Sequence, residues 1–360
     1  VAPQNVAAGT TFITCTFTNG KTLVYKMKNA TDWQAGGEYT YTVSLAAAKD
    51  PGYTVSEDGK TYTVYNANGL LAWNEAVQKD MTLNCTLTAD ITLTGEWTPI
   101  GTESQPYTGT FDGGGKYTIT GLKIDQSGTD YVGLIGRLGS GGKVQDVTLT
   151  EVNVTGGTYV GGIAGQNDGT VENCSVNGTV TGRGFNDTGG IVGTNYGTIS
   201  GCSAEGTVTG SVNVGGIAGG SYLGVTIVGC YSSAAVEGYS TVGGVVGNLG
   251  NNSSLMASYS TGNVTVTSTT GYAGGVVGVN AQGTVTACYH ATGTVSGQGN
   301  VGGIVGMNNS GQNTACYWSS NPANGIGKMD SGTNGTIKVD GDWQNAVTQM
   351  NTALQNAGSE

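Results

Sequence analysis

The chain has 360 residues, a formal net charge of −11 and only 13 Lys plus Arg, which argues against a phosphate-backbone or anionic-membrane partner, since either needs several cations on one face. Gly supplies 66 residues against 5 Pro with no triplet period, so the glycines serve turns and close stacking, not a collagen helix. No run of 18 apolar residues occurs, so nothing is expected to span a membrane, and a start at Val1 without Met or leader is expected of a mature or excised piece.

Residues 1–48 read as a separate β-domain fragment. Thr11 to Phe17 and Thr22 to Tyr25 flank an Asn19-Gly20 turn as a hairpin, and Glu38 to Leu45 follows Ala35-Gly36-Gly37 as a further strand. So few strands cannot close a sandwich. The fragment is expected to dock on its neighbour or to continue strands upstream of Val1. Residues 49–125 read as a linker, a cap helix and opening coils, beginning with the Asp50-Pro51-Gly52 turn and the Ser56 to Lys60 loop. From Asn68 to Lys79 the period becomes helical: Leu70, Trp73 and Val77 share a face with Leu71 beside them, and Asn68 is the expected cap. Thr82 to Ile124 lays down one or two irregular coils. Within it Gly113-Gly114-Gly115 lacks the Lys-Ser/Thr pair and the following helix of a phosphate loop, and reads as a turn.

Residues 126–320 carry a repeat. The phrase Gly, two aliphatics, Gly returns at Gly133, Gly162, Gly190, Gly216, Gly244, Gly275 and Gly303, in steps of 29, 28, 26, 28, 31 and 28 residues. About ten residues after each closing Gly stands one small apolar position: Val147, Cys174, Cys202, Cys230, Ser258, Cys288 and Cys316. The unit has no helical period and is rich in Val, Thr, Ile and Tyr broken by Gly, Asn and Ser, which is the composition of short strands and tight turns. Units of this kind stacked ~4.8 Å apart make a parallel β-helix, expected to be right-handed. Alternation turns Cys174, Val176 and Val180 inward and Ser175, Asn177 and Thr179 outward. Asn167, Asn195, Asn280 and Asn308 recur just past the glycine phrase, with Ser221 and Leu249 in the other slots. They read as a ladder of buried amides at a coil corner.

Residues 321–360 read as a C-terminal cap. Asp342 precedes Trp343, Val347, Met350 and Leu354, spaced as one face of an amphipathic helix. A solenoid leaves open strand edges at both ends, so the two helices are expected to serve as its lids.

Five of the seven cysteines sit in the inward column, where side chains pointing the same way suit a disulfide dihedral poorly, so they are expected to be reduced apolar fillers. No paired Cys or His suggests a metal, and no cofactor is implied. The solenoid acids Asp168, Glu172, Asp187, Glu205 and Glu237 occupy different places in the coil, and Arg137 and Arg183 share no acid between them. The one His, His290, falls in the inward column and reads as a packed residue, not a catalyst. No enzymatic activity is expected. Directly after the inward position come Tyr231, Tyr259, Tyr289 and Tyr317. Alternation turns all four outward on successive rungs, making them the candidate ligand-binding residues, a strip able to meet sugars or partner proteins; stacking along the sheet and cover by a neighbouring loop are the structural alternatives.

Two family resemblances attach to these segments. Val1-Ala2-Pro3-Gln4, Thr11-Phe12-Ile13, Asn19-Gly20-Lys21 and Gly36-Gly37-Glu38-Tyr39-Thr40-Tyr41 resemble the closing strands of fimbrillin-like domains of Bacteroidales surface lipoproteins. The glycine phrase with Asn, then Cys, then Gly-x-Val is similar to the GLUG repeat of bacterial surface proteins and covers about half the chain. Together they imply a non-catalytic cell-surface adhesin or pilus-associated subunit, lipid-anchored outside this segment, that meets a host or bacterial surface protein, a glycan or other pilus subunits. A glycan-binding or glycan-degrading β-helix is the alternative.

Overall fold

A computed structural model describes residues 4–16, 22–37, 39, 50–250 and 252–358. The N-terminal segment holds two antiparallel pairs, Gln4–Val6 with Thr31–Trp33 and Thr11–Thr16 with Thr22–Lys26. The second is the anticipated hairpin. Its Asn19-Gly20 turn, and the strand expected from Glu38 to Leu45 apart from Tyr39, lie outside the described residues.

From Tyr53 onward the chain is a parallel β-solenoid. One coil runs Val160–Gly161, Ala164–Asn167, Thr170–Glu172 and Ser175–Gly182 before the next begins at Thr188. Stacking turns these four positions into four sheets. Sheet A collects eight strands from Ile135–Leu138 to Ile326–Met329, and sheet B eleven from Tyr53–Val55 to Gln312–Thr314. Sheet C collects fourteen strands between Ile91–Thr92 and Thr336–Lys338, and sheet D six from Val160–Gly161 to Asn300–Gly302. Among the described strands the solenoid pairing is parallel except for Tyr53–Val55, which folds back antiparallel on Thr61–Val64 and closes the N-terminal edge of sheet B; two isolated bridges, Gly250 to Gln282 and Ala281 to Ser310, are also antiparallel.

The repeat columns align as the sequence spacing demands. Ser175, Ser203, Tyr231, Tyr259, Tyr289 and Tyr317 are successive register partners. The cysteine column is buried and unbridged. Each thiol donates to the carbonyl two residues earlier, at 3.2 Å for Cys174 and 3.3 Å for Cys202, while the Cys174 N–H reaches Cys202 Sγ at 3.4 Å. The buried amides form the expected ladder: Asn167 Nδ2 donates to Asn195 Oδ1 at 2.7 Å, and Asn195 Nδ2 to Ser221 Oγ at 3.2 Å. Leu249 interrupts it, and Asn280 resumes it through Asn313 at 3.2 Å. Each buried amide thereby keeps hydrogen-bond partners, which burial requires.

The cross-section has two lobes, which alternation did not predict. The larger core gathers Ile163, Ala164, Val171, Cys174 and Val176 and their counterparts; the smaller gathers Val208, Val214, Val236, Val242, Val264 and Val295. Glycines make the waist between them. A Cβ on the first glycine of the phrase would strike the column Val176, Ala204, Ser232, Ser260, His290 and Trp318 from the opposite wall. A Cβ on the closing glycine would strike sheet D backbone as well as its neighbour in sheet A: on Gly247 it would sit 2.6 Å from the Val214 nitrogen in sheet D and 2.5 Å from the Gly219 carbonyl oxygen in sheet A. The phrase is a steric requirement, because sheet A rests on sheet D backbone to backbone. A second constraint stands just before the cysteine column, where Asp146, Asn173, Gly201, Gly229, Ala257, Ala287 and Ala315 all take φ between +48° and +64°. This left-handed residue turns each coil from sheet B into sheet C.

Helix α1, Ala67–Val77, buries Leu70, Trp73 and Val77 and leaves Leu71 exposed. Trp73 lies against Phe111 and Tyr107 at 5.1 and 6.2 Å between ring centres. Its cap is Asn66, not Asn68: Asn66 has extended backbone and its Oδ1 accepts from the Gly69 N–H at 3.1 Å. Helix α2, Gln344–Asn356, belongs to the C-terminal end and lies along the outer side of the last coils, over Ala287, Tyr289 and Tyr317. Asp342 accepts from the Gln344 N–H at 2.9 Å, as a capping residue does. The buried positions are Ala346 and Met350, while Val347 is exposed. Close approach to the tyrosine rings favours the small Ala346, and Val347 is turned about 100° away from that side.

Candidate binding surface

The four candidate tyrosines occupy one outward column of sheet C. Tyr231 and Tyr259 stack at 5.2 Å and 8°, and Tyr259 and Tyr289 at 4.6 Å and 4°. Rings stacked so closely cover one another's faces and show edges and hydroxyls to solvent. The far end of the column is covered by α2: Trp343 meets Tyr289 edge-on at 5.6 Å, and Tyr317 is buried beneath Ala346 and Met350. Tyr231 is 42% exposed and Tyr259 half-buried. The structure therefore divides the strip into an open end at Tyr231 and a roofed end at Tyr317.

A second tyrosine group lies elsewhere, where sheets A and D meet, and it was not singled out in the sequence. Tyr131 stacks on Tyr159 at 5.0 Å, and Tyr196 leans on Tyr222 at 5.9 Å. Buried among them is Asp187, whose Oδ1 accepts from Asn213 Nδ2 at 2.7 Å; the same amide donates to the Tyr222 hydroxyl at 3.2 Å. Burial raises the Asp187 carboxyl above its ordinary range, partly opposed by these hydrogen bonds. Burial likewise raises the Tyr222 phenol. A signal existed: Tyr196 and Tyr222 each directly follow the amide column at Asn195 and Ser221.

The other acids are dispersed, as the spacing implied. Asp168 pairs with Arg137 at 3.1 Å, Glu172 with Lys143 at 2.6 Å, and Glu205 accepts from Asn177 Nδ2 at 2.8 Å. Arg183 is exposed. Among the described residues no three His, Cys, Asp or Glu gather around a common metal position, and no helix is long and apolar enough to cross a membrane. His290 is fully buried, its Nδ1 2.8 Å from Ser260 Oγ. The Ser260 hydroxyl donates to the Gly275 carbonyl, so the imidazole must carry its proton on Nδ1. Nε2 is buried without a partner, and burial brings the imidazole down to about 4. A neutral imidazole sealed at the waist is a packing residue.

Residues 156–181 and 186–209 match the GLUG motif, two consecutive coils of the solenoid. Halomucin of Haloquadratum walsbyi is 36% identical over 146 residues, a match covering 33% of this chain and 2% of halomucin. Among solved structures, a putative immunoglobulin A1 protease from Bacteroides ovatus superposes with a TM-score of 0.55 at 20% identity, covering 79% of this chain and 87% of that one. A second, an IgA1 protease, aligns with a TM-score of 0.43 at 14% identity over 88% of this chain and 22% of its own. The GLUG and halomucin matches support a GLUG-repeat protein of the cell surface or extracellular space, and the Bacteroides ovatus structure supports the solenoid fold alone. The fimbrillin-like resemblance of the N-terminal segment gains no support from them, and a likeness of fold says nothing of the organism.

The expectation of no enzymatic activity is corrected by the Bacteroides ovatus structure: a solenoid of this shape occurs in a protein described as a putative protease. That likeness is one of fold and transfers no catalytic residue. The expectation rested on the scatter of acids along the coil, and scattered acids exclude only sites built from one column of them.

Proposed function

We propose that the protein is an adhesin or pilus-associated component, held at the surface by a lipid anchor, whose solenoid presents sheet C to a surface protein or glycan of another cell. The observation that carries this reading is the open end of the tyrosine column. Exposed Tyr231 and half-buried Tyr259 project side by side from a sheet whose strands are paired on both edges. Aromatic side chains fixed on a rigid element bury contact area at small entropic cost. The unbroken parallel ladders make the rod stiff, and the GLUG match supports a surface setting. The same column favours a second reading, a glycan-binding or glycan-degrading surface protein.

Adhesion is tested by coating beads with the whole chain and counting their attachment to epithelial and bacterial cells. Attachment should exceed that of albumin-coated beads and fall in Tyr231→Ala and Tyr259→Ala variants that retain the parent far-ultraviolet spectrum. Equal attachment of parent and albumin beads would sink the adhesin reading.

A further inference from the structure

The tyrosine stack has two ends, and they differ. Tyr259 is covered by a ring on each side, and beyond Tyr289 stand Trp343 and the roof of α2. At the other end Tyr231 has Tyr259 on one face only. On its opposite side the register partner one coil down is Ser203, and below that Ser175. Serine is too short to cover a phenol ring. The column therefore drops in one step from an aromatic wall to a floor of small polar groups.

That floor is furnished with hydrogen-bonding groups. Ser203 Oγ donates to Ser175 Oγ at 3.1 Å. Two residues along the same strands, still outward, Asn177 Nδ2 donates to Glu205 Oε2 at 2.8 Å, and both side chains are exposed. Strands Thr148–Gly156, Ser175–Gly182, Ser203–Thr209, Tyr231–Ser232 and Ala235–Gly238 contain Glu151, Glu205 and Glu237 and no Lys or Arg. An anionic ligand would meet like charge there without a compensating cation.

We propose that the free face of Tyr231 with the floor of Ser175, Ser203, Asn177 and Glu205 is a binding shelf for a neutral pyranose sugar. A pyranose has an apolar C–H face that packs on an aromatic ring and a rim of hydroxyls that both donate and accept. The shelf offers the matching surfaces: one ring face, two hydroxyls, an amide and a carboxylate acceptor. The carboxylate and the absence of cations select uncharged sugars over uronates and sialates. This deepens the recognition reading above by naming the ligand class, and it rests on sheet C being a contact surface.

The test is an array of neutral, uronate-terminated and sialate-terminated oligosaccharides probed with the full chain, followed by titration of the best neutral ligand. Tyr231→Ala should weaken binding by about tenfold or more, whereas Tyr231→Phe, which keeps the ring face, should retain it. Ser203→Arg should also abolish binding, since its guanidinium can lie on the ring and fill the shelf without disturbing the stack; an unchanged melting temperature shows that this variant folds. No neutral ligand, a preference for acidic glycans, or binding that survives both Tyr231→Ala and Ser203→Arg would each overturn the shelf. Neutral-sugar binding by a chain whose beads fail to adhere would sustain the shelf and remove the adhesin.

Discussion

Protonating the waist of the solenoid should loosen it, and His290 makes the effect measurable because it is the one histidine in the chain. Its ring is fully buried, with Nδ1–H committed to Ser260 and Nε2 without a partner. A second proton would sit on a buried Nε2 that has no acceptor to meet it. Burial accordingly holds the group at about 4, below the ordinary imidazole value near 6.5. The folded value lies below the unfolded one, so the neutral ring favours folding above about pH 6.5, and that contribution is lost as pH falls toward 4. The difference corresponds to about 3 kcal/mol in full, of which about 2 kcal/mol is gone by pH 5. The imidazole Cε1 proton gives a single nuclear magnetic resonance signal, which should titrate near 4 in the folded chain. Urea unfolding at pH 7.5, 6 and 5 should show wild type losing stability relative to His290→Ser, a variant that restores the residue of Ser260 and Ser232 in the same column. A resonance titrating near 6.5, or parallel losses in both proteins, would refute the buried-waist account.

Further outcomes follow from the backbone and the buried groups. Gly247→Ala places a Cβ within 2.6 Å of backbone atoms and should lower stability by about 3 kcal/mol, while Gly128→Ala, with open space around it, should be close to neutral by thermal melting. Ala257→Gly relieves a side chain at φ +48° and should gain about 1 kcal/mol by the same measurement; a loss would mean that the left-handed column carries no strain. Asp187→Asn should raise stability at neutral pH. The Asp187 carboxyl is raised in the fold, so its contribution is best below the unfolded value and is lost as pH rises through the folded one; the advantage of the Asn variant should accordingly vanish in acid. The thiols of Cys85, Cys174, Cys202, Cys230, Cys288 and Cys316 are all buried in the solenoid, where a bulky reagent cannot reach them. Native protein should therefore release about one equivalent of thionitrobenzoate from a disulfide reagent, from half-buried Cys15, and more only after unfolding.

What the sequence discloses depends on whether a constraint repeats in one column. The glycine phrase, the cysteines and the amides each recur at the coil length, and each is enforced by stacking on itself, so the solenoid and its inward faces could be read directly. The waist could not, although its mark was present in the doublets Gly161-Gly162, Gly189-Gly190, Gly215-Gly216, Gly243-Gly244, Gly274-Gly275 and Gly302-Gly303. Doublets invite a turn reading, and only the position of sheet D against sheet A shows that they mark contact between two walls. The left-handed column hides for a related reason. Asp146, Asn173, Gly201 and Gly229 are residues that favour such a turn, but Ala257, Ala287 and Ala315 give no such signal and are held there by the coils on either side.

The tyrosine column shows most sharply where one-dimensional reading ends. Alternation turns Tyr231, Tyr259, Tyr289 and Tyr317 outward, and an outward column invites the inference that ring faces are available. Register at the strand spacing works against that inference: residues one coil apart stand about 4.8 Å from each other, close enough for parallel rings to cover their neighbours. A longer tyrosine column therefore gains no ring face at all. It always keeps two, one at each end, and here α2 roofs the end at Tyr317. Function on this side of the molecule is thus set by where the column stops. The change from Ser203 to Tyr231, which within the repeat looks like ordinary drift, is the position that gives the solenoid an aromatic face open to solvent.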